Sequence, residues 1–273
     1  MLERYNDIRG PLRNIRWVGV DEICYGRRNN LYTIISDLER SAVIGVADGN
    51  QTSSLDAFFK TAGTAFCEKV EVVCMDMWKA FRTSVTAFCG KAKIIFDKFH
   101  LVRHLNDAID EIRRREFFRQ GGAKRELVRG KRWLFLRRWF NLTAEQKGLL
   151  KETLSVNKRL SITYYLKEIF GSLWFYRRRA WALKFLERWQ KQLRWQRLEP
   201  LEKFMALVRN HLDGILNYCD VKIPLGRVDA INGVIKNIIR RSRGFRNHRH
   251  GALRIMFLTD PDAYRTLNAC FHT

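Results

Sequence analysis

The stretch WVGVDEICYGRRNNLYTIISDLERSAVIGVAD, residues 17–48, decides the fold. It holds three apolar runs of β type: WVGVDEI (17–23), LYTIISDL (31–38) and SAVIGVAD (41–48). The polar gaps between them are too short for a helix, so the runs predict an antiparallel meander. The period then changes. Thr52 or Ser53 can cap a helix whose apolar positions are Leu55, Phe58, Phe59, Ala62 and Phe66. VEVVCMDM (70–77) returns to strand. WKAFRTSVTAF (78–88) reads as a helix with Trp78, Phe81, Val85 and Phe88 on one stripe, and AKIIFDKFH (92–100) as a further strand.

Three strands followed by helix, strand, helix and strand is the layout of a ribonuclease-H-like mixed sheet, although other mixed α/β folds share the alternation. From about 99 to 220 the pattern is helical, with Val102, Leu105, Ile109 and Ile112 at helical steps. Six of the eight tryptophans fall here: Trp133, Trp139, Trp174, Trp181, Trp189 and Trp195. They alternate with Arg and Lys, which predicts a bundle with most of its Trp in the core and Arg at the rim. The same basic faces are compatible with a nucleic-acid surface. After the breaker CDVKIPLG (219–226), Val228, Ile231, Val234 or Ile235, Ile238 and Ile239 form an apolar stripe. Asp229, Asn232, Lys236 and Arg240 fall on the opposite face, and Gly244 can stop that helix. The expected organisation is an α/β core over 1–98, an all-helical insertion over 99–220, and completion of the core over 221–273.

With 46% hydrophobic residues, 273 residues can bury a substantial core. No apolar run approaches the ~18 residues of a membrane span, and MLERYNDIRGPLRNIRW has no apolar signal region, so no membrane partner is expected. The six cysteines form no C-x-x-C pair, which argues against zinc and for reduced thiols in a cytosol. Charge is the strongest compositional signal: 51 Lys and Arg against 28 Asp and Glu, a net of +23. Residues 1–97 are almost balanced, at 13 basic and 12 acidic, whereas 98–273 hold 38 and 16. Such asymmetry favours a polyanion, with nucleic acid the default.

Asp21, Asp76 and Asp97 each lie at the end of an apolar strand, where a charge is costly unless neutralised. In a ribonuclease-H-like sheet the first and fourth strands are central neighbours, which would set Asp21 beside Asp76. Two adjacent carboxylates call for a cation, and oxygen donors suit Mg²⁺, with Mn²⁺ as a substitute. On a basic protein, such a pair points to phosphodiester chemistry. Asp229, heading a helix with a basic face, is the candidate third carboxylate. Lys236, two turns along, could hold a DNA phosphate.

These residues carry a resemblance. VGVDE (18–22), VCMDMW (73–78), FDKFH (96–100) and LGRVDAINGVIKNIIRRSRGFRN (225–247) resemble the catalytic region of DDE transposases of the ISL3 insertion-sequence family, over about 17–258. The resemblance implies a ribonuclease-H-like core interrupted by an all-helical insertion, with Asp21 and Asp76 as metal ligands and Asp229 as the third catalytic acid. Asp97 and His100 resemble a D-x-x-H signature and are expected as accessory groups. Lys236 resembles a basic residue that contacts DNA ends. Arg240, Arg241, Arg243 and Arg246 extend that basic run, in which no acid intervenes between Asp229 and Asp260.

The implied activity is Mg²⁺-dependent strand cleavage and transfer on double-stranded DNA, at transposon ends and target, by a homodimer beside the bacterial nucleoid. Two departures stand out. Asp229 occupies a position where the family usually has Glu, and the family's N-terminal zinc-binding and helix-turn-helix segments are not in this sequence. They keep open a DNA-binding remnant without cleavage. A ribonuclease-H-like nuclease acting on DNA structure is the third reading.

Overall fold

The computed structural model describes residues 12, 14–25, 30–119, 121–126, 128–245 and 247–263. They form two compact units, one running to Asp97 and resuming at Ile223, the other comprising Lys98–Lys222.

The first unit is built on five strands: β1 (Trp17–Cys24), β2 (Leu31–Asp37), β3 (Ala42–Asp48), β4 (Val72–Met75) and β5 (Lys93–Phe96). Their order across the sheet is β3-β2-β1-β4-β5. The β1–β2 and β2–β3 pairs are antiparallel, and β1–β4 and β4–β5 are parallel. The sheet is therefore mixed, with the first and fourth strands adjacent at its centre. Val18, Val20, Ile35 and Val73 are fully buried within it. Two glycines are there for close approach: a Cβ at Gly19 would stand 2.6 Å from Ser36 Oγ, and one at Gly45 would stand 2.5 Å from the Phe58 ring.

The helix expected over 52–66 is two. α1 (Thr52–Ala62) stops at Gly63, whose φ of +83° no helix accepts, and α2 (Thr64–Cys67) carries Phe66. Gln51 precedes α1 without a side-chain cap, so neither Thr52 nor Ser53 caps it. α3 (Lys79–Phe88) buries Phe81 and Val85. Trp78 leaves that stripe: it is about half exposed, and its indole N–H donates to Asn50 O at 3.0 Å. The run 92–100 is strand only to Phe96.

The second unit begins with α4 (Lys98–Arg119), so His100 is helical rather than on a strand. α5 (Gly122–Glu126), α6 (Arg132–Leu136), α7 (Ala144–Ser155), α8 (Lys158–Phe170), α9 (Arg179–Leu193), α10 (Glu199–Asn210) and α11 (Leu212–Asp220) follow. Short 3₁₀ turns occupy Trp139–Asn141 and Gly171–Phe175. Thr143 and Gln146 form a reciprocal cap on α7, and Asn157 caps α8. The core centres on Phe170, Trp189 and Phe204, with ring centroids 5.0–6.1 Å apart. The expectation that most of the six tryptophans pack inside is corrected here. Trp174 and Trp189 are buried and Trp139 is intermediate, whereas Trp133, Trp181 and Trp195 are exposed. The physical reason is that cations cover the outer rings: Arg132 over Trp133 at 4.9 Å and Lys184 over Trp181 at 5.3 Å.

The chain then returns to the first unit with α12 (Gly226–Arg241) and α13 (His248–Thr259). Ile235, not Val234, completes the buried stripe of α12. Gly244, at φ +87°, donates its N–H to Ile239 O beyond the helix end. The Arg227 guanidinium donates to the Leu38 and Glu39 carbonyls, which pins the start of α12 to the end of β2. Thr259 Oγ accepts from Val43 N–H and ties α13 to β3. Gly45 faces α1, whereas Asp21, aligned with Val46 through Ile34, faces α12 on the opposite side of the sheet.

Candidate active site

The parallel register sets the geometry. Val20 pairs with Met75, and Met75 with Phe96. Asp21, Asp76 and Asp97 each come one residue later, so three neighbouring segments each present an aspartate at the same level. Asp76 and Asp97 directly follow β4 and β5, whereas Asp21, expected at a strand end, lies inside β1, which continues to Cys24 because it stays paired with β2 beyond the end of β4. The ladder continues there, because Asp97 N–H donates to Met75 O at 2.9 Å. Residues two apart on a strand share a face, so each aspartate is on the side of Gly19, Cys74 or Ile95.

Asp21 is 8% exposed and Asp97 2%. Asp21 Oδ1 accepts from Glu22 N–H at 2.8 Å, and its Oδ2 accepts from Asn232 Nδ2 at 2.5 Å. Asp76 is half-buried, and its Oδ1 accepts from Met77 N–H at 2.6 Å. Asp229 lies in the first turn of α12 and is exposed. The completely buried Cys74 thiol reports on three of these acids. Burial pushes it well above its ordinary range, and the charges of Asp97, Asp21 and Asp229 push it further. Asp229, from the far end of the sequence, thus acts on the same thiol as Asp21 and Asp97.

Asn232 is the residue that sequence reasoning misplaced. A helical wheel puts it on the polar face, yet it is 7% exposed and grips Asp21. It lies one turn after Asp229, so α12 brings an acid and an amide to the same side of the sheet. Lys236, Arg240, Arg241 and Arg243 are exposed, with Arg240 donating to Asn237 Oδ1 at 3.0 Å; Arg246 lies outside the described residues. Lys236 is about 10 Å along the helix axis from Asp229 at 1.5 Å per residue. His100 lies in the first turn of α4, in the helical unit.

The donors are all carboxylate oxygens, which suits a hard divalent cation. Buried aspartates level with one another across a sheet also need positive charge nearby. Among the described residues, however, no group of three or more His, Cys, Asp or Glu is arranged to hold a metal ion. The donor chemistry fits Mg²⁺; in this conformation the cage is not closed, with Asp21 held by Asn232. Nor, among the described residues, is any helix long and apolar enough to cross a membrane.

Comparison with known proteins places the chain among transposases. The ISL3 model of DDE transposases, described as "Transposase", matches residues 18–255, and the chain belongs to that family. It is 29% identical over 244 residues to the transposase for insertion sequence element IS1001 of Bordetella parapertussis, covering 88% of this chain and 60% of that protein. It is 23% identical over 257 residues to the transposase for insertion sequence element IS1557 of Mycobacterium tuberculosis, covering 86% and 58% respectively. The chain thus spans about three fifths of the length of these relatives.

Proposed function

We propose that this chain is the catalytic region of a transposase that cuts DNA strands at insertion-sequence ends and joins them to a target, on a ribonuclease-H-like core. The observation that carries the proposal is the row of Asp21, Asp76 and Asp97, level with one another across β1, β4 and β5, with the Asp229 charge reaching the Cys74 thiol that Asp21 and Asp97 also reach. Asp21, Asp76 and Asp229 would hold Mg²⁺, or Mn²⁺ in its place. When bound, the cation supplies Lewis-acid activation of the scissile phosphodiester. The protein's own part is positional. The backbone N–H groups of Glu22 and Met77 fix one oxygen each of Asp21 and Asp76. Asn232 holds the other Asp21 oxygen, which would also be a ligand for the cation. Asp97, buried beside Asp76, adds negative charge that favours cation capture, and His100 is an accessory group. Lys236, Arg240, Arg241 and Arg243 form a basic face for the backbone of double-stranded DNA. The proposed assembly is a homodimer on paired ends.

Nicking of supercoiled plasmid in Mg²⁺ or Mn²⁺ tests the proposal. Wild type converts plasmid to open circles; Asp21→Ala and Asp76→Ala do not, yet still shift DNA in a gel. Nicking retained in both variants overturns the assignment. One observation favours a second reading, DNA binding without cleavage: Asp229 stands where the resemblance gives Glu. Salt-sensitive binding with no nicking by wild type would support it.

A further inference from the structure

The short turn Gly171–Phe175 in the helical unit gathers positive charge. The Arg138 guanidinium lies against the Gly171 backbone so closely that a Cβ there would be 1.6 Å from Nη2. Three residues on, Lys98 Nζ lies 5.5 Å from the centre of the Trp174 ring. Neither cation has a hydrogen bond or ion pair with an acid among the described residues. The nearby acid, Glu168, is already engaged by Lys167 Nζ at 3.0 Å and by Trp139 N–H at 3.3 Å. Lys167 is itself committed, donating to the Phe135 and Arg137 carbonyls. Burial and the Arg138 charge both push the Lys98 ammonium below its ordinary range, so the two cations feel each other. Trp174 is 6% exposed, and its indole N–H is a buried donor without a hydrogen-bond partner among the described residues. Two unmatched cations and an idle donor around one turn are what an anion would satisfy.

We propose that Lys98, Arg138 and Trp174 form an anion site on the helical unit that takes a phosphodiester of the DNA backbone. The site lies outside the aspartate group and outside the basic face of α12. A diester is the natural occupant, because Lys98–Lys222 carries 29 basic and 13 acidic residues and so attracts a polyanion over its whole surface. The site would fix the position of the duplex on this unit without reading its sequence. Glycine at 171 is then required for the guanidinium rather than for its own backbone, whose φ of −57° any residue adopts.

That requirement supplies a test in which net charge does not change. Gly171→Ala displaces Arg138 while leaving every charge in place. In fluorescence-anisotropy titrations of the full chain against a labelled duplex over a range of salt, Gly171→Ala and Arg138→Gln should each bind roughly tenfold more weakly. Each should also flatten the log–log salt slope by about one. Lys98→Gln should do the same. Arg188→Gln, which removes an exposed arginine on α9, is the control for bulk charge. Arg138→Lys keeps the charge without the planar fork and guards against misfolding of the alanine variant; it should recover only part of the affinity. The proposal is overturned if Arg138→Gln and Gly171→Ala match the Arg188→Gln control. It is also overturned if inorganic phosphate at constant ionic strength displaces the duplex at millimolar concentration, which would mark a pocket for free phosphate. The inference rests on the transposase reading, but fails separately from it. Absence of DNA binding by wild type would defeat that reading, whereas normal binding with indifferent variants would defeat this site alone.

Discussion

Replacing Asn232 by Ala removes its hydrogen bond to Asp21 Oδ2, on a carboxylate that is 8% exposed. A hydrogen bond to a charged group contributes about 1.5–3 kcal/mol, so the expected loss is about 2 kcal/mol in the unit that contains both residues. For a unit of roughly 150 residues, that corresponds to a fall of about 4–8 °C in melting temperature. The assay is thermal melting by circular dichroism without divalent metal, then repeated in Mg²⁺. Asn232→Asp makes the case sharper. It sets a second carboxylate against Asp21, so the metal-free protein should lose more than with alanine. Mg²⁺ should return part of the loss, because a cation relieves two like charges. A metal-free melting temperature for Asn232→Ala within about 1 °C of wild type would refute the reasoning, since an effect that small is below what loss of a hydrogen bond to a buried charge costs. An Asn232→Asp protein indifferent to Mg²⁺ would refute the link between that contact and a cation.

Asp229→Glu restores the acid usual in the family and should keep or raise plasmid nicking; a clear loss would show that the start of α12 is built around Asp. Gly45→Ala would drive a methyl into the Phe58 ring 2.5 Å away and should cost about 1–3 kcal/mol through overpacking, read by urea denaturation. Burial pushes the Lys167 ammonium down to about 8 from 10.5. Between those values the unfolded chain holds the proton that the folded one has released, so stability of the helical unit should rise with pH over that window, by at most about 3 kcal/mol. Denaturation midpoints at pH 7.5 and 10 check this; a flat or falling profile for that unit would contradict it.

The strands were legible because alternation and the short gaps of 17–48 leave a meander little alternative. The central pairing of first and fourth strands was expected from the ribonuclease-H-like layout, since their order alone is shared by other mixed α/β folds. What the sequence could not show depends on contacts between distant segments. Asn232 looks solvated on a helical wheel, because its partner is 211 residues away in the chain. The β5–α4 boundary was blurred because FDKFH continues an apolar run while the backbone turns helical at Lys98. The helix over 52–66 read as continuous, because apolar spacing persists across Gly63 although its positive φ breaks the hydrogen-bond ladder. Tryptophans set among arginines give no sign of their depth, since a cation can lie over an exposed ring as readily as snorkel from a buried one. The acids themselves were readable one by one. Their convergence became visible only through the register of β1, β4 and β5 and the shared effect on Cys74.

The central claim is that Asp21, Asp76 and Asp229 share a divalent cation. Titration of the full chain with Mn²⁺, followed by electron paramagnetic resonance of the free ion, tests it most directly. The account predicts saturable binding to wild type that disappears in Asp21→Asn and Asp76→Asn, weakens in Asp229→Asn, and is unchanged in Asp213→Asn, an acid of the helical unit paired with Arg179. Equal Mn²⁺ binding by all five proteins would contradict it.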